Sequence, residues 1–143
     1  MKSLILSALF VVFMALGANA QISTVQNLLS NTASGVKVTD TVTNTGTVTM
    51  TSAIVKGAPN QTTVTAVFTK LTGTVAGTAT LQGSLNNVDF VSASSTSYTV
   101  TDLATQATSW ALTGKNYLYY RVNVVGSGTS TYTVKGQVLT VNP

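Results

Sequence analysis

The sequence predicts an all-β fold: an antiparallel β-sandwich, jelly-roll or immunoglobulin-like, with eight or nine short strands after an N-terminal signal helix. The first observation is composition, since residues 21–143 contain 27 Thr and 18 Val. These β-branched residues lose rotamer freedom in helices and fit the pleated surface of a sheet. The second is an alternation of apolar and polar side chains, and the third is a turn signal roughly every 8 to 12 residues.

The first alternating segments are 36–42 and 48–54. Between them, Asn44-Thr45-Gly46 is typical of a tight turn. The two segments are therefore predicted to form a hairpin.

Segments 63–71 and 78–85 continue the alternation. Asn86-Asn87 follows the second of them, and asparagine tolerates the positive φ that a tight turn needs. A second hairpin into 88–90 is predicted.

The C-terminal third contains the clearest strand pattern. Residues 98–100 predict a short strand, and 103–109 predict a polar connection. Residues 117–125 alternate throughout, and 129–141 predict the last strand. The large side chains expected in the core are Phe68, Phe90, Trp110, Tyr120 and Tyr132.

The N-terminus has the layout of a secretory signal peptide. Lys2 precedes an apolar stretch at 4–16, and Gly-Ala-Asn-Ala at 17–20 supplies an A-x-A cleavage site before Gln21. The stretch is short for a bilayer span, which needs about 17 to 25 residues. We expect an exported protein at the cell surface, outside the cell or on a virion, with no stable membrane span after the leader is removed.

The domain organisation follows from these patterns. Residues 1–20 are the signal peptide, 21–34 are a polar arm or linker, and 35–143 are the β-sandwich domain. The arm carries Val25, Leu28 and Leu29, which offer one weak helical turn.

Composition excludes most catalytic chemistry. The chain has no Cys and no His, and its three acidic residues are all Asp. It cannot form a thiolate nucleophile, a Ser-His-Asp relay or a His-rich metal site. We expect no enzyme, no cofactor and no metal. The few Lys and Arg are scattered, so nucleic acid is not an expected partner.

Two acidic arrangements remain open as alternatives. Asp89 and Asp102 would form a hydrolytic pair only if folding brought them together. Asn86, Asn87 and Asp89 could bind Ca²⁺ through oxygen, but one carboxylate is few for this ion, and capping of a turn explains them as well.

The aromatic residues near the C-terminal strands are the candidate contact site. Tyr117, Tyr119 and Trp110 would form a platform for a sugar ring, or they pack in the core. Tyr119 is opposite in phase to Tyr120, and Arg121 shares its outward phase. Tyr and Arg are enriched in interface hot spots, so this pair is also a candidate protein contact.

Two segments carry a family resemblance. Residues 71–85 read LTGTVAGTATLQGSL before an Asn-Asn turn, and YYRV at 119–122 precedes GSGT at 126–129. In these features the chain resembles small β-rich accessory or structural proteins of phages, especially those of Bacteroidota hosts. The resemblance covers roughly 35–141, and it implies a structural role with no catalytic residues.

Together these features predict a non-catalytic, exported structural or assembly subunit of a virion, filament or cell-surface layer. It would act through β-edge and face contacts, by self-association or with another surface or virion protein. The alternative is a secreted carbohydrate-binding module with an exposed Tyr/Trp platform.

Overall fold

The computed structural model describes residues 22–32, 35–57 and 59–142, and within them it is all-β. The expected signal helix lies outside these ranges. The described ranges contain twelve strands in chain order: β1 (Ile22–Asn27), β2 (Ser30–Thr32), β3 (Gly35–Lys37), β4 (Thr39–Thr43), β5 (Thr47–Thr51), β6 (Gln61–Gly73), β7 (Gly77–Ser84), β8 (Val91–Ser92), β9 (Tyr98–Val100), β10 (Thr105–Thr113), β11 (Tyr119–Gly126) and β12 (Ser130–Asn142). The number exceeds the eight or nine expected because several strands are only two or three residues long.

Two antiparallel sheets contain most of the strands. In the first sheet, β10 pairs with β6, β6 pairs with β12, and β1 and β4 share the far side of β12. In the second sheet, β5 pairs with β11, β11 pairs with β7, and β8 and β9 share the far side of β7. Strands β2 and β3 form a separate pair.

The strand order decides between the two predicted topologies. The first sheet contains the order β4-β12-β6-β10, and the second contains β5-β11-β7-β9. Successive strands from β4 to β7 therefore cross from one sheet to the other, as do those from β9 to β12. This is the double Greek key of a jelly roll, whereas an immunoglobulin domain keeps more of its consecutive strands in one sheet. The antiparallel sandwich is confirmed, in its jelly-roll form.

The core lies between the inner faces of the two sheets. On β11 and β12, and on β6 as far as Phe68, every second side chain is buried, as the alternation predicts. Phe68, Trp110, Tyr120 and Tyr132 are buried there, which confirms four of the expected core aromatics. Phe90, the fifth, is only partly buried and lies outside this core.

The first predicted hairpin is a turn between sheets. The φ of Asn44 is 53°, as expected of a turn residue. However, β4 pairs with β12 and β5 pairs with β11, so the two strands separate into opposite sheets after the turn. The hairpin prediction is wrong here because a sheet-crossing corner and a hairpin use the same local turn residues.

The second predicted hairpin is present with a longer loop. Strand β7 pairs with β8 through Gln82 with Ser92 and Gly83 with Val91. Asn87 has φ 61° in the connection. The returning strand begins after residue 90 rather than at 88.

The segment interpreted as a polar arm or linker forms part of the sandwich in its described residues, 22–32. Strand β1 pairs along β12, and Leu29 bridges to Thr51 of β5. Leu28 is fully buried in the core. The segment is thus strand and core rather than the weak helical turn or free arm expected from its polar composition.

The segment predicted as a polar connection, 103–109, contains the first five of the nine residues of β10, so this prediction is wrong from Thr105 onward. Gln106 points inward, and its Oε1 accepts from Thr101 N and from the Tyr98 hydroxyl, both at 3.1 Å. Its Nε2 donates to Thr101 O at 2.6 Å. These bonds satisfy a buried polar side chain, which explains why the strand lacks the expected apolar residue at this position.

Candidate interaction surface

The outer face of the second sheet positions Tyr119 and Arg121 side by side along β11. Their chain neighbours Tyr120 and Val122 are fully buried, so Tyr119 and Arg121 project from the opposite face. Tyr119 pairs with Ser84, and Arg121 pairs with Gln82 on β7. Both candidate residues are half-buried rather than extended into solvent.

Arg121 is held by two contacts. Its Nε and Nη2 donate to Gln82 Oε1 at 2.9 and 2.7 Å. Its guanidinium carbon lies 3.8 Å from the centroid of the Phe90 ring. This is a cation–π arrangement. Partial burial lowers the pKa of Arg121, but the group remains protonated at neutral pH. Phe90 is therefore a support for Arg121 on the outer face and not a core residue.

Trp110 is not available as a contact residue. It is only 4% exposed and belongs to the hydrophobic core. Its Nε1 donates to Thr96 O at 2.9 Å, so the polar edge of the ring is also satisfied. Trp110 therefore packs in the core, which was the alternative to a surface platform. The predicted Tyr/Trp platform cannot include it.

Tyr117 lies where the chain enters β11 and packs against the core. Its ring meets Tyr120 edge-on, with centroids 5.9 Å apart and an interplanar angle of 89°. A Cβ built on Gly83 would lie 2.3 Å from the Tyr117 ring, so the ring occupies the space that a side chain would take. Tyr117 is thus fixed in place, half-buried, between β7 and β11.

A cavity of about 260 Å³ opens beside Tyr117. It is bounded by the end of β7 and the connection to β8, and its lining residues are Gly83, Ser84, Leu85, Asn86, Asp89, Val91 and Tyr117. A second, more open groove of about 510 Å³ lies beside the C-terminal end of β10. Small and hydroxyl-bearing side chains dominate its lining, together with Lys115.

The three Asp residues have separate partners. Asp102 Oδ1 accepts from Lys70 Nζ at 2.8 Å and from Val75 N at 2.9 Å. The Lys70 hydrogen bond, and then that of Val75, hold the pKa of Asp102 below its usual value. Asp40 accepts from Ser30 Oγ and Thr41 N.

Asn86 organises the turn that contains Asp89 through its side-chain hydrogen bonds. Asn86 Oδ1 accepts from Ser84 Oγ, Val88 N and Asp89 N at 2.9 to 3.0 Å. Its Nδ2 donates to Asp89 Oδ2 at 2.8 Å. The turn-capping interpretation accounts for these side chains, and in the described ranges no three His, Cys, Asp or Glu residues are grouped as metal ligands.

Strand β10 is a sheet edge that the sequence analysis did not identify. It pairs with β6 along all nine of its residues, and no described strand pairs with its other side. It contains no charged residue. Its exposed side chains are small or hydroxyl-bearing: Thr105, Ala107, Ser109, Ala111 and Thr113. The alternation of Gln106, Trp110 and Leu112 with these residues is typical of a strand. It was interpreted as a polar connection because Gln106 is polar.

The comparisons with known proteins support the fold. No family model and no curated protein matches the chain. Among solved structures, PBSX exported protein XepA aligns with a TM-score of 0.52 at 16% identity, over 85% of this chain and 37% of that chain. The enzymatically active domain of bacteriophage CBA120 tailspike protein 4 aligns with a TM-score of 0.51 at 12% identity, over 85% of this chain and 18% of that chain.

An infectious bursal disease virus structure, of the Gx strain, aligns with a TM-score of 0.50 at 11% identity, over 85% of this chain and 33% of that chain. The shared property is the fold. This chain spans well under half the length of each of these three chains. Within the part of the chain that the structure describes, no helix is long and apolar enough to cross a membrane.

Proposed function

We propose that this protein is a non-catalytic structural or assembly subunit that associates through the free edge of β10. The observation that carries the proposal is a nine-residue edge strand without a charged residue. A free edge presents unpaired N–H and C=O groups and is a template for another strand. Natural sandwiches usually protect such an edge with Lys, Pro or a bulge, and β10 has none of these.

The other edges of the described sheets are less suited to pairing. Strand β4 contains Asp40, and β8 and β9 are two and three residues long. Strand β5 is covered at Thr51, whose N and O bond to Leu29. Strand β1 is uncharged but has six residues, against nine in β10.

A second copy of the chain fits this edge. Two β10 strands related by a two-fold axis would pair antiparallel and join two first sheets into one continuous sheet. The small exposed side chains at Ala107 and Ala111 present little steric hindrance, and the absence of charge avoids like-charge repulsion across the axis.

The test is sedimentation equilibrium of the purified protein over a wide concentration range. We expect a reversible dimer or larger species, and we expect the double variant Ala107→Lys with Ala111→Lys to be monomeric, because each copy then brings two cations to the shared edge. The matched control is Val67→Lys with Val125→Lys, which adds the same charge at exposed positions of the central strands β6 and β11. A wild-type protein that stays monomeric at high concentration, or a control that dissociates as completely as the edge variant, contradicts the proposal.

Export belongs to the same proposal and is supported by the leader sequence at 1–20. A subunit acting outside the cell, at its surface or on a virion would mature with Gln21 at its N-terminus. Intact mass spectrometry of the protein from its source tests this, and an N-terminus elsewhere contradicts it.

A second candidate function is glycan binding at Tyr119. It is favoured by the half-buried outward position of this ring beside the fixed guanidinium of Arg121. Glycan-array binding that is lost in Tyr119→Ala but retained in Val125→Ala, on the same face of β11, would support it. An array without binding contradicts it.

A further inference from the structure

The cavity beside Tyr117 has mostly apolar walls. Leu85 and Val91 line it and are 64% and 55% exposed, and Val88 on the same connection is 76% exposed. Large aliphatic side chains clustered at this exposure on one hairpin are typical of an interaction site. An apolar group entering the cavity would remove their surface from water.

Asp89 is the charged residue of the lining. Its Oδ2 accepts from Asn86 Nδ2, and within the described ranges no hydrogen bond reaches Oδ1. No Lys or Arg pairs with this carboxylate in the same ranges, where the observed ion pair joins Lys70 to Asp102. The Asp89 carboxylate thus has an accepting oxygen, Oδ1, that no described donor occupies at the cavity.

The cavity is organised before any ligand arrives. Asn86 Oδ1 accepts three hydrogen bonds and holds the connection that carries Asp89. Tyr117 is fixed by its contacts with Gly83 and Tyr120. A site with rigid walls loses less conformational entropy on binding.

The chemistry of these walls selects a cation on an apolar stem. The carboxylate would pair with an ammonium group, the aromatic ring attracts a cation electrostatically, and the Leu85 and Val91 side chains pack against methylene groups. A sugar needs several hydrogen-bonding partners, but Ser84 and Asn86 already bond to each other. We infer that this cavity binds an alkylammonium group, such as a lysine side chain or a small organic amine.

This site is independent of the β10 edge. The ammonium group could come from a lysine of a second copy of the chain or from a free amine, and both sources share the same chemistry. The probe for the site is therefore n-butylammonium chloride, with sodium butyrate and n-butanol as anionic and neutral probes of similar size.

The experiment follows amide chemical shifts in ¹⁵N-labelled protein. We expect butylammonium to shift resonances of residues 83–91 and 117 with a dissociation constant on the order of 1 mM or weaker, as for a ligand of so few atoms. Butyrate and butanol should bind at least tenfold more weakly. Equal shifts from all three probes, or no shifts with butylammonium, overturn the assignment, as does binding of methyl glycosides to the same residues without binding of the amine.

Two variants and a control locate the site. Asp89→Asn keeps an oxygen that can accept from Asn86 Nδ2, so it removes the charge and should weaken butylammonium binding at least tenfold. Gly83→Ala places a Cβ where the Tyr117 ring lies and should also weaken binding. Asp102→Asn removes one negative charge outside this cavity and should bind as the wild type does. Unchanged binding in Asp89→Asn overturns the inference.

Measurements of self-association then distinguish a lysine of a second copy from a free amine as the source of the ammonium group. If a lysine of a second copy occupies the cavity, butylammonium and Asp89→Asn both reduce association, and Asp102→Asn does not. If a free amine is the ligand, association is unchanged while the amide shifts persist. Failure of the β10 variants to dissociate the protein would leave the amide shifts unaffected, so the two proposals fail separately.

Discussion

Two fully buried tyrosines differ in one respect that predicts opposite responses to the same substitution. Tyr120 donates its hydroxyl to Lys115 O at 2.8 Å. Tyr132 is equally buried, but its hydroxyl has no hydrogen-bond partner within the described residues. The Tyr132 hydroxyl packs at the surface of Gly77, where a built Cβ would lie only 2.5 Å from it. The oxygen therefore carries a desolvation cost without a compensating bond.

Tyr132→Phe should stabilise the protein. Leaving a buried hydroxyl unsatisfied costs about 1 to 3 kcal/mol, so its removal should raise the free energy of unfolding by about 1 to 2 kcal/mol after the small loss of packing. Unfolding entropy is about 2.1 cal/mol/K per residue, or about 0.25 kcal/mol/K for about 120 residues, which converts the gain into about 4 to 8 °C in Tm. Tyr120→Phe, the matched control, loses a hydrogen bond and should lower Tm by about 2 to 6 °C.

The assay is differential scanning calorimetry at pH 7, with urea unfolding as a second measurement of the same free energies. Burial raises the pKa of Tyr132, so the wild type holds this proton more tightly when folded. The stabilisation that comes from this more tightly held proton is complete below about pH 10 and is lost as the pH rises further. Tyr132→Phe has no phenolic proton to lose, so it should reduce this loss of stability in alkali. A destabilised Tyr132→Phe, or two variants that change Tm in the same direction, would refute the reasoning.

Three further predictions concern the core, the turn and the titration behaviour. Leu28→Ala should lower the free energy of unfolding measured in urea by about 2 to 4 kcal/mol, because Leu28 is fully buried against Gly136. An unchanged free energy of unfolding would show that residues 22–32 do not pack in the sandwich. The φ of Asn87 is 61°, in the left-handed region. Asn87→Val should therefore cost about 1 to 2 kcal/mol while Asn87→Gly costs nothing, which thermal unfolding of the pair measures. The free energy of unfolding should be nearly constant from about pH 5 to 9, because the chain has no His, Glu or Cys. It should fall in acid as Asp102 is protonated, because the hydrogen bonds from Lys70 and Val75 hold the pKa of this carboxyl low in the folded state. Lys70→Met should reduce this acid loss, and an unchanged acid limb of the Tm profile would contradict it.

Strand positions were predictable where one face is buried throughout. In β11, the alternation of residues alone places Tyr120, Val122 and Val124 inside and Tyr119 and Arg121 outside, and the structure agrees. A period of two leaves a single register that buries the apolar set, so local sequence is sufficient there.

Prediction failed where a polar side chain is buried with its hydrogen bonds satisfied, or where an apolar side chain packs outside the core. Gln106 favours a polar connection, but its amide is satisfied by Thr101 and Tyr98, which lie five and eight residues earlier in the chain. Phe90 predicts a core residue, but it lies under the guanidinium of Arg121. Each outcome depends on a contact that the alternation of residues within the strand does not show.

The candidate site shows the same division. Sequence phase identified Tyr119 and Arg121 as outward neighbours, but it offered Trp110 as a surface ring although the structure buries it. The cavity at Asp89 and the free edge of β10 were not predicted, because a cavity and an edge are properties of how strands are placed together.

By itself, the sequence determined that this chain forms sheets with one apolar face, since β-branched residues in a two-residue period have no comparably stable helical arrangement. It also determined that Asn44 and Asn87 would turn the chain. Only the tertiary structure decided that β4 and β5 enter opposite sheets and that β10 ends one of them. The packing of the whole sandwich determines which strands pair with each other. The strand that has only one partner can therefore be identified only from the complete fold.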